Sequence, residues 1–144
     1  MVNFVINKRI VKNISVKEIM TKEVITVSAD QKLIDVKHIF EKDKFHHHIP
    51  VAEDGLLVGM ISLVDFLYAI KKASLDDEEQ VYHQLLVCDV MRENPEALPD
   101  TATLRDVGEE LIKGNVHALV ITEGKRIKGI VSTTDVIRHF IRNT

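Results

Sequence analysis

Two short segments carry the residues that could do chemistry. Gly-Met-Ile-Ser-Leu-Val-Asp at 59–65 and Gly-Ile-Val-Ser-Thr-Thr-Asp at 129–135 both place a serine three residues before an aspartate. Each segment follows an apolar strand pattern and precedes an amphipathic helix pattern. Such a pair can form a capping box that satisfies the first N–H groups of the helix. It can also hold the hydroxyls of a sugar whose phosphate lies near the helix N-terminus.

Strand and helix patterns predict the elements around the first segment. Ser15 and Glu18 fit a capping box that opens a helix of one or two turns. Residues 71–87 predict a helical connector, because Gly and Pro are absent there. The other predicted elements are a strand at 24–27, a helix after Asp30 to about Lys44, a hairpin of strands 48–52 and 56–61 with its turn at 53–55, and a helix from Ser62 with Phe66, Leu67 and Ile70 on its apolar face.

The second half of the chain repeats the first half, and this repeat is the strongest signal in the sequence. Met20 matches Met91 at a spacing of 71, whereas Gly59 matches Gly129 at a spacing of 70. Each copy is too small to bury a large core alone. The predicted organisation is an N-terminal extension at 1–14, a first repeat at 15–72, a helical connector at 73–86 and a second repeat at 87–144.

Composition excludes several classes of function. The chain has 144 residues and a formal net charge of −3, so no excess of positive charge indicates that it binds nucleic acid. No apolar run is long enough to span a membrane, and residues 1–10 do not resemble a signal peptide. The single cysteine, Cys88, cannot form an internal disulfide and fits a small filler residue in a cytoplasmic protein.

The repeated motifs resemble those of a tandem cystathionine-β-synthase (CBS) domain pair, or Bateman module. The motifs are Val-Lys-Glu-Ile-Met and Val-Cys-Asp-Val-Met at the repeat starts, His-His-Ile-Pro-Val, and the two Gly-to-Asp segments. The resemblance covers about residues 15–142. It implies an α+β fold of two β-α-β-β-α repeats, packed through their sheets around a pseudo-twofold axis.

The resemblance further implies adenosine-containing ligands in clefts between the repeats, with the Ser and Asp of one repeat facing the first strand and histidine region of the other. AMP, ADP, ATP and S-adenosylmethionine are the expected regulatory ligands. The residues that the resemblance assigns to one cleft are Val24, Ile25, Thr26, His46, His47, His48, Ser132, Thr133, Thr134 and Asp135. Those that it assigns to the other cleft are Met60, Ser62, Asp65, Pro95, Glu96, Ala97, Val116 and His117.

The chemistry of these residue types suggests their roles. An aspartate can accept hydrogen bonds from vicinal ribose hydroxyls, and serine adds a donor and acceptor beside it. A histidine of residues 46–48, with His47 favoured by position, would contact phosphate. Ala118, the neighbour of His117, carries no charge, so the Asp65 cleft is expected to bind phosphate less well. The alternative is that these histidines have a structural role or only face solvent.

Metal binding and catalysis are disfavoured. Consecutive strand residues point to alternate faces, so three adjacent histidines cannot converge on one ion. Asp35 and Asp106 fit solvated helix faces rather than catalysts, and no hydrolase elbow or phosphate-binding loop is present.

Two further hypotheses accompany the leading one. The leading hypothesis is a stand-alone sensing module, a homodimer that reports ligand occupancy to an effector protein. The second is a dimerisation or interaction scaffold with empty clefts, in which the Ser-Asp pairs only cap helices. The third is an enzyme, which would need a metal ion or a positioned base.

Overall fold

The chain folds into two compact units that are not the two sequence repeats. The computed structural model of the protein describes residues 14–42, 47–71 and 78–143. Among the described residues, the first unit comprises those of 25–95, and the second comprises residues 14–24 together with 96–143. Each repeat therefore gives its leading segment, residues 15–24 or 87–95, to the unit that is built on the other repeat.

The first unit is a small antiparallel sheet with helices. Strand β1 (His48–Glu53) pairs with β2 (Leu56–Ser62), and β2 pairs with β3 (Arg92–Glu93), both antiparallel. Val27 forms a parallel bridge with Val51. The elements are α1 (Leu33–Lys42), β1 (His48–Glu53), β2 (Leu56–Ser62), α2 (Leu63–Lys71), α3 (Glu78–Gln84), α4 (Val87–Val90) and β3 (Arg92–Glu93).

The second unit is built on the same plan. Strand β4 (Ala97–Pro99) pairs parallel with β5 (Ala118–Glu123), and β5 pairs antiparallel with β6 (Arg126–Ser132). Thr21 bridges to Ile130. The elements are a 3-10 helix (Val16–Glu18), β4 (Ala97–Pro99), α5 (Leu104–Ile112), β5 (Ala118–Glu123), β6 (Arg126–Ser132) and α6 (Thr133–Arg142). Mixed helices and strands confirm the predicted α+β class.

Each unit has its own apolar core, and the leading segment supplies part of it. Val87 is fully buried in the first unit, and Val16 is fully buried in the second. The core of the first unit is Val27, Leu33, Val36, Ile49, Val51, Ile61, Phe66, Tyr82 and Val87. The core of the second unit is Val16, Ala102, Val107, Leu119, Ile121 and Val131.

Both hairpins share an irregularity at the same repeat position. The register shifts between Val51 and Ala52 in the first hairpin and between Ile121 and Thr122 in the second. At the tip of the first hairpin, Asp54 and Gly55 both have positive φ, 52° and 80°. This is the backbone that an Asp-Gly hairpin turn favours, and it confirms the turn predicted at 53–55.

The strand predicted at 24–27 is wrong, because only Val27 joins a ladder. Its N–H donates to the carbonyl of Pro50, and its carbonyl accepts from the N–H of Ala52. In a parallel ladder the carbonyl of Ile25 would accept next from the N–H of residue 50, which proline lacks. In the second unit the matching residue is Val120, and β4 pairs over three residues there.

Three other expectations are corrected by the structure. Leu67 is 50% exposed, because α2 turns Phe66 inward. Cys88 is exposed while its neighbour Val87 is buried, so it is not a core filler. The Ser15 hydroxyl accepts from the N–H of Lys17, whereas the N–H of Glu18 donates to the Ser15 carbonyl, and the helix is a single 3-10 turn.

Asp106 is exposed, as expected of a solvated helix face, and it also caps α5. Its Oδ2 accepts from the N–H and hydroxyl of Thr103, and the Thr103 hydroxyl accepts from the N–H of Asp106. The helical connector is described only in part: α3 occupies residues 78–84, and residues 1–13, 43–46 and 72–77 lie outside the described residues. Within the described part of the chain, no helix is long and apolar enough to cross a bilayer.

Candidate functional site

The Ser62–Asp65 segment links the end of β2 to the first turn of α2. Asp65 Oδ2 accepts from the Ser62 N–H at 3.2 Å and from the Ser62 hydroxyl at 2.7 Å. The N–H of Asp65 donates to Ser62 Oγ at 3.0 Å. This is the capping box that the serine and aspartate spacing predicts.

The Ser132–Asp135 segment has the same geometry at the start of α6. Asp135 Oδ2 accepts from the Ser132 N–H at 2.8 Å and from its hydroxyl at 2.9 Å. The N–H of Asp135 donates to Ser132 Oγ at 3.2 Å. In both segments the box therefore uses Oδ2 and leaves Oδ1 directed elsewhere.

An arginine occupies Oδ1 of each aspartate, and the two arginines come from different places. Asp65 Oδ1 accepts from Arg92 Nε at 3.2 Å and lies 3.1 Å from Arg92 Nη2. Arg92 belongs to the leading segment of the second repeat. Asp135 Oδ1 accepts instead from Arg138 Nη1 at 3.0 Å, one turn along the same helix.

These contacts set the charge of Asp65. Burial alone would raise the pKa of its carboxyl. Hydrogen bonds from the Ser62 hydroxyl and N–H, and the hydrogen bond and charge of Arg92, outweigh burial and lower the pKa below its ordinary value of 3.8. Asp65 is therefore an ionised acceptor at neutral pH, which is the form that binds hydroxyl groups.

The histidine region of each repeat is tied to the Ser-Asp segment of that same repeat. The N–H of Leu63 donates to the carbonyl of His47 at 2.8 Å, and the N–H of Thr133 donates to the carbonyl of His117 at 3.0 Å. His47 and His117 are exposed, and His48 pairs with Ser62 across the hairpin. His46 lies outside the described residues.

The other residues that the resemblance assigns to a site fall on both units. Met60 is buried at 7% exposure, and Val116 packs partly buried against the core of the second unit. Val24 and Pro95 are partly exposed, and Ile25 is 43% exposed. The exposed members are Thr26, Glu96, Ala97, Thr133 and Thr134. Their grouping into two clefts stays a prediction.

Sequence reasoning missed Arg92 as a partner of Asp65. Arg92 directly follows Met91, which the repeat alignment did identify. Its approach to Asp65 depends on the leading segment joining the other repeat's sheet, where Arg92 pairs with Met60. Among the described residues, no group of three or more His, Cys, Asp or Glu side chains could hold a metal ion.

Comparison with known proteins identifies the family. The CBS domain model matches residues 16–72 and 87–142. The uncharacterized protein MJ0188 of Methanocaldococcus jannaschii is 34% identical over 133 residues, which cover 92% of this chain and 46% of that protein. The chain spans about half the length of the curated relatives that it matches first.

Solved structures share the fold. CBSX2 of Arabidopsis thaliana, crystallised in complex with AMP, superposes with a TM-score of 0.77 at 20% identity, covering 92% of this chain and 99% of that one. The CBS domain pair of protein MJ0100, in complex with 5'-methylthioadenosine and S-adenosyl-L-methionine, gives a TM-score of 0.75 at 22% identity, covering 90% and 98%. With both motif copies matched by the family model, this chain belongs to the CBS domain family and carries a tandem pair of these domains.

Proposed function

We propose that the chain is a non-catalytic sensing module that binds an adenosine-containing ligand through Asp65 and Asp135. The observation that carries the proposal is that the two oxygens of each carboxylate have different partners. One oxygen caps the helix, while the other, among the described residues, is held by an arginine alone, and the side chains of these two arginines are 66% and 49% exposed. A vicinal diol can replace such a solvated partner and leave the cap intact.

The protein's relatives support this class of ligand. CBSX2 has been crystallised with AMP, and the MJ0100 pair with 5'-methylthioadenosine and S-adenosyl-L-methionine. All three ligands contain a ribose with vicinal hydroxyls and an adenine. Ile25 offers an exposed apolar side chain next to residues 26–27, which suits the face of a base. His47 and His117 are the proposed phosphate contacts.

The proposed mechanism is linkage between ligand binding and conformation. A ligand shifts a conformational equilibrium only by its difference in affinity between the two states. The Ser-Asp segments are the first turns of α2 and α6, so a ligand on them would bear directly on these helices. An effector protein or a second copy of the chain would then detect the change.

A homodimer is the proposed assembly, and the exposed apolar side chains of α2 and α6 support it. Val64 and Leu67 on α2 are 71% and 50% exposed, and Ile137 and Ile141 on α6 are 54% and 71% exposed. Leu67 and Ile137 occupy matched repeat positions, 70 residues apart. Each of these two helices thus offers exposed apolar side chains to a partner. This exposure is compatible with the scaffold hypothesis as well as with sensing.

Thermal unfolding in the presence of ligands tests the sensing function. AMP, ATP and S-adenosylmethionine are titrated separately, and a ligand present at 100 times its Kd should add roughly 2.7 kcal/mol to the free energy of unfolding. No change in the melting temperature with any of the three at millimolar concentration would contradict the proposal and favour the scaffold. Incubation with ATP followed by product analysis tests the enzyme alternative.

A further inference from the structure

Arg92 is a cation whose backbone is fixed and whose side chain is solvated. Its strand, β3, pairs with β2 at Met60 and Gly59, so the backbone of Arg92 is held beside the strand that leads to Ser62. The Arg92 side chain is 66% exposed, whereas the Asp65 side chain is only 16% exposed. The guanidinium can therefore leave Asp65 at little cost in packing, while its anchor stays in place.

A ribose on Asp65 has to displace part of this ion pair. Both hydrogen-bond donors of Ser62 already use Oδ2, and both contacts from Arg92 use Oδ1. A carboxylate has about four acceptor positions in all. Two ribose hydroxyls on Oδ1 would compete with the two guanidinium contacts, and the released N–H groups would then need another acceptor.

The chemistry of the ligand decides whether the released guanidinium finds that acceptor. A phosphate group offers a bidentate, charge-assisted partner to arginine. An uncharged adenosine offers no anion, and a sulfonium cation would be repelled. Because the Arg92 guanidinium can replace its contact with Asp65 by one with phosphate, the site favours anionic ligands over neutral or cationic ones that carry the same ribose and adenine.

The second repeat lacks this arrangement. The residue that matches Arg92 at a spacing of 71 is Thr21, which bridges to Ile130 and carries no charge. Asp135 is paired instead with Arg138, three residues along its own helix. Arg138 has no counterpart at Tyr68, the matching position in the first repeat. Arg138 thus serves as a control. Its replacement shows the general effect of losing one arginine beside a carboxylate that is a candidate for ribose binding.

We propose that Arg92 is the specificity-determining residue of the Asp65 site. Its guanidinium leaves Asp65 and pairs with the 5'-phosphate of the ligand, and it thereby selects 5'-phosphorylated adenosines. This inference rests on the proposed function and identifies the ligand class for one of its two sites. It reverses the expectation from sequence that the Asp65 site is poorer in phosphate-binding charge, because Arg92 comes from a segment that sequence spacing did not place there.

Calorimetric titration with AMP and with adenosine tests the proposal. The titrations use the Asp135→Asn background, so that the heat comes from the Asp65 site. In this background Arg92→Gln should weaken AMP binding roughly tenfold, the cost of one charge-assisted contact. Adenosine should bind Arg92→Gln as tightly as before, or more tightly because Asp65 is released. Arg92→Lys, which keeps the charge, should retain part of the preference for AMP.

The other outcomes of these titrations would contradict the proposal. If Arg92→Gln weakens AMP and adenosine equally, Arg92 has a structural role and the proposal is wrong. An unchanged ratio of the two affinities also overturns it, as does an equal loss of AMP preference in Arg138→Gln, measured with Asp135 intact and Asp65→Asn as background. If neither compound nor any other adenosyl ligand binds the wild-type chain, the proposed function fails together with this inference.

Discussion

The thioether of Met20 lies directly against the α-carbon of Gly129, so closely that a Cβ on Gly129 would sit 2.6 Å from Met20 Sδ. The same relationship recurs between Met91 and Gly59, where the distance would be 2.5 Å. These are the methionine and glycine positions that define the sequence repeat. Their pairing shows why both are there: each leading segment docks on the glycine of the other repeat's strand.

Replacing either glycine by alanine should destabilise the protein. The added methyl group would meet the methionine side chain and also the carbonyl of Thr21 or Arg92, each at 3.0 Å. Overpacking of this kind costs about 1–3 kcal/mol. We expect Gly59→Ala and Gly129→Ala to lower the urea midpoint accordingly. Far-ultraviolet circular dichroism during urea titration provides the measurement.

Gly108 offers the matched control for these two variants. It lies inside α5, and a Cβ there would meet nothing within 4 Å. Because alanine favours a helix over glycine by about 0.8–1.0 kcal/mol, Gly108→Ala should raise the urea midpoint. Destabilisation of the same size in all three variants would show that close approach of methionine is not the cause.

The sequence repeat predicted most of the elements but not the composition of the units. Hydrophobic periodicity and the Asp-Gly turn located α1, both strands of the first hairpin and the start of α2. Periodicity reports which residues are buried, not which copy of a repeat buries them. Periodicity therefore could not show the exchange of residues 15–24 and 87–95 between the units, although the Met and Gly positions carried its signal and the resemblance placed Pro95 in the cleft of Asp65.

In the candidate site too, the sequence predicted the local contacts but not those between distant segments. The spacing of Ser62 and Asp65 predicted a capping box, which the structure contains, since it depends only on local geometry. The ion pair of Asp65 with Arg92 joins residues 27 positions apart and depends on how the leading segment joins the sheet. The broken strand at 24–27 likewise has a nonlocal cause, the missing N–H of Pro50.

Ligand binding should depend on Asp65 and Asp135 beyond their role as helix caps. The double variant Asp65→Asn/Asp135→Asn keeps side chains of the same size but removes both charges. Loss of charge-assisted bonds to a ribose diol should weaken AMP binding on the order of 100-fold. Isothermal titration calorimetry of folded, monodisperse protein provides the affinity.

Asp106 separates the capping role from the binding role. It forms the same box with Thr103 that Asp65 forms with Ser62, but the resemblance assigns it no ligand contact. Asp106→Asn should destabilise α5 by about 1 kcal/mol and leave AMP affinity unchanged. If Asp106→Asn weakened AMP binding as much as the double variant does, the effect would reflect stability rather than ribose recognition.

Stability should fall in acid partly through Asp65. Its pKa in the folded state is lowered, because hydrogen bonds from Ser62 and the charge of Arg92 outweigh the effect of burial. A lowered pKa stabilises the fold above the unfolded-state value of about 3.8, and this contribution is lost as the pH falls through the lower folded value.

The pH dependence of Asp65→Asn measures this contribution. The difference in free energy of unfolding between wild type and Asp65→Asn should be largest near neutral pH and shrink below about pH 4. Arg92→Gln removes one of the groups that lower the pKa, so it should reduce the same difference. A difference that stays constant from pH 7 to pH 3 would show that the carboxylate adds no linked stability.

Formation of the proposed homodimer should depend on the exposed apolar residues of α2 and α6. Leu67 and Ile137 are matched and exposed, so Leu67→Glu/Ile137→Glu would bury two charges in an interface built on these helices. We expect dimerisation to weaken at least roughly tenfold, measured by sedimentation equilibrium. Ile112→Glu is the control, because Ile112 is 85% exposed on α5. A dimer that survives the double variant, or one that Ile112→Glu disrupts equally, would place the interface elsewhere.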